Sequence, residues 1–307
     1  MRVVITGATG FIGTRLVEKL HGRGDRLTLL VRDPDKAQQQ FPADVFTNLA
    51  IVAYTPLQLG EWTNVFGDCD GVVNLAGAPI FGQRWSDKVK KAILESRQIG
   101  TRRIIEAIKT NQHKPTVLVN GSAIGFYGTD PDKEFDEYSF SGDDFLAEVC
   151  KAWEAEADVA SELGLRVVKL RTGIVMGNGG ALAKLLPIFQ LGAGGKIGNG
   201  KQWFSWIHRD DLVDLIMLAL DNTQITGSLN GTAPNPVTNA EFTKTLAKAV
   251  AKPALLPVPA IALQVILGEA SILVLEGQKV LPKKALHNKF SFTYPELEPA
   301  LMEIVGK

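Results

Sequence analysis

Three glycines, Gly7, Gly10 and Gly13, have the spacing in this chain that points most directly to chemistry. They lie in GATGFIG, between the apolar, β-branched run MRVVIT and the amphipathic segment FIGTRLVEKLHGRG. A strand that turns through glycines into a helix presents the helix N-terminus, with its unpaired N–H groups and positive dipole end, to an anion. Gly7 lets the chain leave the strand in a tight turn. Gly10 removes a side chain where a pyrophosphate must approach the backbone, and Gly13 lets the helix sit close on the sheet. Thr9, Phe11 and Ile12 complete a loop expected to meet a dinucleotide.

A dinucleotide also needs a partner for its adenosine ribose. The second apolar run, RLTLLV, ends at Val31 and is followed by Arg32 and Asp33. A carboxylate there accepts from a free 2′-hydroxyl, whereas a guanidinium suits a 2′-phosphate. Arg32 comes first, which favours NADP; Asp33 leaves NAD open. Residues 71–77, GVVNLAG, form a continuous apolar run of the kind found in a parallel sheet covered on both faces. Its end, with Leu75, Ala76 and Gly77, is expected to lie along the cofactor, where the small residues Ala76, Gly77 and Ala78 permit close approach to the backbone. The segment TVLVNGSAIGFYG sets Ser122 just past the end of a fifth strand, where open α/β sheets place their ligands. Tyr127 is expected to line the same pocket. So are Trp203, Phe204 and Trp206, beside a glycine-rich loop at 192–200 that reads as mobile.

These residues must be positioned by elements, and the pattern supplies them. A long helix capped at Ser86 carries Ile93, Ile104, Ile105 and Ile108 on one face and Arg97 and Thr101 near its middle. A sixth strand, RVVKLRTGIVMG, leads through Val175 to the substrate side. Asp210 or Asp211 is expected to cap the helix that follows WIH, and Asn239 another helix. The fold class expected is α/β: a Rossmann-type doubly wound parallel sheet of order 3-2-1-4-5-6 with a seventh strand possible, plus a smaller C-terminal α/β substrate lobe. Residues 1–173 plus 200–226 are assigned to the NADP-binding domain, and 174–199 plus 227–307 to the lobe.

Composition narrows the partners. The 307 residues carry 33 basic and 33 acidic side chains, so no electrostatic footprint for nucleic acid exists. Cys69 and Cys150 lack metal-ligand spacing and read as reduced thiols in a cytoplasmic setting. The first strand is expected from residue 2, so no leader is expected unless one has been removed. The most apolar stretch, 259–277, is interrupted by Gln264, Gly268, Glu269 and Glu276. It reads as one or two amphipathic helices, with no integral membrane segment and peripheral membrane contact as a minor alternative. A small-molecule substrate, and a monomer or homodimer, are the expected partners and state.

TGATGFIG, VRDP, NLAG, the SRQIGT stretch, FLAEVCKAWE, the WIHRDD segment and the tail LEGQKVLPKKAL with FSFTYPELEPAL together resemble the extended short-chain dehydrogenase/reductase superfamily. Within it they resemble its atypical, YfcH-like epimerase group, which includes plant plastid relatives. The resemblance spans almost the whole chain. It implies NADP binding and an oxidoreductase or epimerase-like activity, with Arg97 contacting the cofactor, Ser122 hydrogen-bonding a substrate oxygen and Lys151 gripping the ribose. The superfamily's proton donor is the Tyr of Y-x-x-x-K. Four residues before Lys151 this chain has Ala147, and a methyl group cannot transfer a proton. Glu148, Tyr127 or a substrate group is left to do so, or the protein binds and reports NADP(H) with little turnover.

Overall fold

The computed structural model describes residues 1–306. Seven strands form the main sheet: β1 (Arg2–Thr6), β2 (Arg26–Val31), β3 (Leu49–Ala53), β4 (Gly71–Asn74), β5 (Val117–Ala123), β6 (Arg166–Thr172) and β7 (Gly227–Gly231). Hydrogen-bonded neighbours run β7-β6-β5-β4-β1-β2-β3. Every pair is parallel. The expected order is present, and the seventh strand extends it at the β6 edge. The lobe boundary expected at residue 227 therefore falls inside the main sheet.

Strand alternation sends side chains to both faces, and helices cover both. Val3 and Ile5 of β1 join Leu16, Val17 and Leu20 of α1 (Phe11–Gly22) in one core. Val4 joins Ile104, Ile105 and Ile108 of α2 (Asp87–Thr110) and Ala157 of α3 (Phe145–Asp158) in the other. Burying each such Leu or Ile stabilises the fold by about 1.5–3 kcal/mol. That double burial is why these strands read as unbroken apolar runs.

The smaller lobe has its own core. Leu182 and Phe189 of α4 (Gly180–Gln190), Phe242 and Leu246 of α6 (Asn239–Ala249), and Leu301 and Ile304 of α8 (Leu297–Gly306) pack around Trp206. Trp206 is fully buried and donates through Nε1 to Asn235 O, while Phe204 stacks on Phe242 with ring centroids 4.2 Å apart. These two aromatics are lobe core rather than pocket wall. Trp203 is half-buried, with the Lys279 ammonium 5.0 Å from its ring centroid.

Between α4 and α6 lies α5 (Arg209–Asp221), and its cap differs from expectation. His208 Nδ1 accepts from Asp210 N, leaving Asp210 to pair with Arg15 and Asp211 to accept from Thr293 N and Tyr294 N. At α6 the capping residue is Thr238, in a reciprocal box with Glu241 and next to Asn239, near which a cap was expected. Ser86 caps α2 as expected, accepting from Val89 N. Both cysteines are unpaired and buried. Among the described residues, no helix is long and apolar enough to cross a membrane, and no cluster of His, Cys, Asp or Glu could hold a metal ion.

Candidate functional site

Gly7 has φ +71°, a left-handed conformation that favours glycine. A Cβ there would lie 2.8 Å from the Leu75 carbonyl carbon. The glycine turn is thus nested directly against the chain leaving β4. A Cβ on Gly13 would sit 2.2 Å from Gly7 O. The first turn of α1 is folded onto the preceding loop, a closer constraint than contact between helix and sheet. Gly10 is the N-cap residue and supplies no side-chain cap. Its own Cβ would meet only Gly7 O, at 3.2 Å. Thr9 and Gly10 are exposed, so the α1 N-terminus opens outward with its N–H groups uncapped by any side chain. Ile12 packs on the sheet. The Phe11 ring is enclosed by Gly177, Gly179 and Gly180, with the Arg209 guanidinium 5.0 Å from its centroid.

At the end of β2, Val31 is buried and Arg32 and Asp33 are exposed. Asp33 is the N-cap of a short helix, Pro34–Gln40, and its Oδ1 accepts from Lys36 N at 3.1 Å. Among the described residues no ion pair holds Arg32. Of the two residues that could meet a ribose, the acid has a structural task and the cation is uncommitted.

A buried polar network fixes the neighbouring backbone. Thr6 Oγ1 donates to Asn74 Oδ1 at 2.6 Å, and Asn74 Nδ2 donates to Thr101 Oγ1 and Asn120 Oδ1 at 3.0 and 2.7 Å. Ala76 N donates to Thr6 Oγ1. The result is a rigid edge at Leu75, Ala76 and Gly77. Beside it, Arg97 Nη1 donates to Ala78 O and Ile93 O, and the guanidinium lies 5.1 Å over the Trp153 ring. A Cβ on Gly77 would be 3.0 Å from Arg97 Cζ. Burial draws the Arg97 pKa down. No carboxylate among the described residues pairs with it. A half-buried cation without a counter-ion is costly, and here two carbonyl acceptors and the Trp153 ring offset part of that cost.

Ser122 and Tyr127 are brought into one network, but a sealed one. Ser122 Oγ donates to Glu154 Oε1 at 2.7 Å, and Glu154 receives two 2.8 Å bonds from Arg171. Arg171 Nη1 donates to Tyr127 OH at 3.1 Å, and Tyr127 OH donates to Asn230 Oδ1 at 2.6 Å. All five residues are buried. Burial pushes the Tyr127 phenol up to about 12 despite Arg171. The cation also sits 3.4 Å from the Phe126 ring centroid.

Lys151 is not part of this network. It is exposed, with Nζ 3.4 Å from Gly142 O, and Ala147 is the third residue of α3, buried and bonded through N to the cap Asp144. The α3 face turned toward β5 carries Cys150 and Glu154 instead. Cys150 Sγ contacts Ala123 O at 3.7 Å, and burial pushes its thiol up to about 11. Val175 lies in a short strand, Ile174–Met176, that pairs with Trp206–His208 where the two lobes meet. Glu154, Arg171, Asn230 and the Thr6–Asn74 network were not foreseen. A signal existed: Arg171 interrupts an apolar strand, and Glu154 falls at helical spacing with Cys150 and Ala157.

In the smaller lobe, a cavity of about 280 Å³ lies between Gly198 and Asn199 of the glycine-rich loop, Gln202 just after it, and Gln264, Ser271 and Glu276.

Comparison with known proteins gives a consistent result. The model of the NAD dependent epimerase/dehydratase family matches residues 3–230, and that of a domain of unknown function, DUF1731, matches 258–304. The chain is 46% identical over 308 residues to the Arabidopsis thaliana epimerase family protein SDR39U1 homolog, chloroplastic, covering 99% of this chain and 87% of that protein. It is 39% identical to the epimerase family protein YfhF of Bacillus subtilis, covering 100% of this chain and 98% of that one. The crystal structure of human epimerase family protein SDR39U1 (isoform2) with NADPH superposes with a TM-score of 0.87 at 36% identity, covering 100% and 99% of the two chains. A glycine turn against an uncapped helix, a parallel sheet of this order and matches across the full length place this chain in the NAD-dependent epimerase/dehydratase family, with a DUF1731 segment at its C-terminal end.

Proposed function

We propose that this protein binds NADPH and uses it in an oxidoreductase or epimerase-like reaction on a small polar substrate. The observation that carries the cofactor choice is at the end of β2: Asp33 is committed to a helix cap while Arg32 is exposed and unpaired. The N–H groups at the start of α1 would hold the pyrophosphate, with Gly7, Thr9, Gly10, Phe11, Ile12 and Gly13 shaping the loop around it. Arg32 would take the 2′-phosphate beside Val31. Leu75, Ala76 and Gly77 would lie along the cofactor with Arg97 behind them, and Val175 would close the substrate side. The human relative crystallised with NADPH supports this reading. When bound, the nicotinamide supplies the hydride chemistry. The lobe cavity, lined by Asn199, Gln202, Gln264, Ser271, Glu269 and Glu276 together with apolar side chains, supports a small polar substrate.

A second reading is favoured by a specific observation. Ser122 and Tyr127 are sealed in the Glu154–Arg171 network and Lys151 is outside it. The proton-transfer group is thus unassigned, as it would be in a protein that senses NADP(H) with little turnover. Fluorescence titration with NADPH and NADH, followed by a screen of carbonyl and nucleotide-sugar substrates for cofactor oxidation, separates the two. Turnover on any substrate establishes the enzyme; tight NADPH binding without turnover establishes the sensor. Absence of binding to either nicotinamide cofactor rejects both.

A further inference from the structure

Helix α7 (Ala260–Leu267) has no buried residue, although seven of its eight side chains are apolar. Ile261, Val265 and Ile266 are 73%, 68% and 64% exposed. Ile261 and Val265, four apart, share a face with Ala262 and Ile266. The opposite side carries Ala260 and Gln264, which line the lobe cavity, and Leu267, which packs on the core beside Trp85. Among the described residues nothing buries the outward face.

The patch extends beyond the helix. The loop at 192–198 runs against the segment leading into α7: Val258 N donates to Lys196 O, Gly198 N donates to Val258 O, and a Cβ on Gly195 would overlap Leu256 O. Leu191, at the end of α4, and Leu255 and Leu256, before α7, flank these contacts, and all three are strongly exposed. Exposed apolar side chains grouped on this scale mark an interaction surface.

Charge selects the occupant. Residues 180–202 and 242–268, the two segments that include the patch, contain no Asp or Glu, while the exposed Glu241 and Glu269 flank the second. The two segments contain Lys184, Lys196, Lys201, Lys244, Lys248 and Lys252, all exposed. Only Lys248 has an ion-pair partner, Glu298, among the described residues. The molecule has no net charge, so its acids lie elsewhere. A two-fold contact between copies would set these lysines against each other. A planar anionic surface with an apolar interior matches both features at once.

We propose that this face docks on a bilayer containing anionic lipid, with Ile261, Val265, Ile266 and Leu255 inserted at the acyl boundary and Lys196 and Lys252 among the headgroups. The test is flotation of the full chain with vesicles of phosphatidylglycerol and phosphatidylcholine, against phosphatidylcholine alone, at low and high salt. The expected result is retention on the anionic vesicles only, weakened by salt. Val265→Glu with Ile266→Glu should lower it at least ~tenfold, and Lys196→Glu with Lys252→Glu by a similar factor. Both variants should keep the wild-type thermal midpoint and NADPH affinity, since the altered side chains are exposed. Equal retention on both vesicle types, or none on either, overturns the proposal. It is equally overturned if light scattering shows a dimer that Val265→Glu with Ile266→Glu dissociates, because the occupant is then a second copy.

Discussion

The Arg171 guanidinium grips the Glu154 carboxylate through two hydrogen bonds of 2.8 Å, and both residues are 4% exposed. Around this pair hang Ser122 on β5 and Tyr127 beyond it. The pair therefore ties α3 to β5 and β6 at the end of the sheet where the substrate is expected.

Removing one partner leaves a buried charge uncompensated. Arg171→Met should destabilise the protein by about 3–5 kcal/mol, and Glu154→Leu combined with Arg171→Met should recover much of that loss. Ser122→Ala should cost less, about 1.5–3 kcal/mol, because one hydrogen bond to a charged acceptor is lost. Urea denaturation followed by tryptophan fluorescence measures all three. An Arg171→Met midpoint equal to wild type would refute the structural role.

Cofactor choice rests on two adjacent residues with separate tasks. Arg32→Asp should weaken NADPH at least ~tenfold and leave NADH nearly unchanged. Asp33→Ala should remove a helix cap worth about 1 kcal/mol and affect the two cofactors alike. Paired titrations decide the matter; an equal loss for both cofactors in Arg32→Asp would remove the basis for preferring NADPH.

Arg97 and Lys151 make opposite forecasts. Arg97→Met should lower NADPH affinity while leaving the free protein as stable as wild type or more so, since an unpaired half-buried cation is gone. Lys151→Met should change affinity by no more than about twofold, because its ammonium reaches only the exposed Gly142 carbonyl. Isothermal titration and thermal melts on both variants provide the check.

His208 gives the pH dependence. Burial holds its pKa below the ordinary 6.5, against the pull of Asp210, Glu303 and Asp211. Its Nδ1 already accepts from Asp210 N, so a proton added there has no acceptor. A lowered imidazole pKa means that the folded state binds fewer protons than the unfolded chain. Stability is thus full above about pH 6.5 and falls as pH drops below it, toward the folded value. Melting midpoints between pH 7.5 and 5.5 should decline in the wild type and stay flatter in His208→Gln.

The sequence by itself determined the main strands and the glycine turn that opens the sheet. Glycine spacing, unbroken apolar runs and the Ser86 cap are local properties, so the strand–turn–helix unit around Gly7, the strands of the main sheet and that cap follow from neighbours in the chain. Tertiary structure decided which way each remaining side chain faces. Trp206 and Phe204 turned into the lobe core because α4, α6 and α8 close over them, and Lys151 turned outward because α3 puts Cys150 and Glu154 against β5. Ser122 found Glu154, 32 residues away, and Tyr127 found Asn230, 103 residues away. Such pairings depend on strands and helices meeting across the sheet, and no local spacing encodes them.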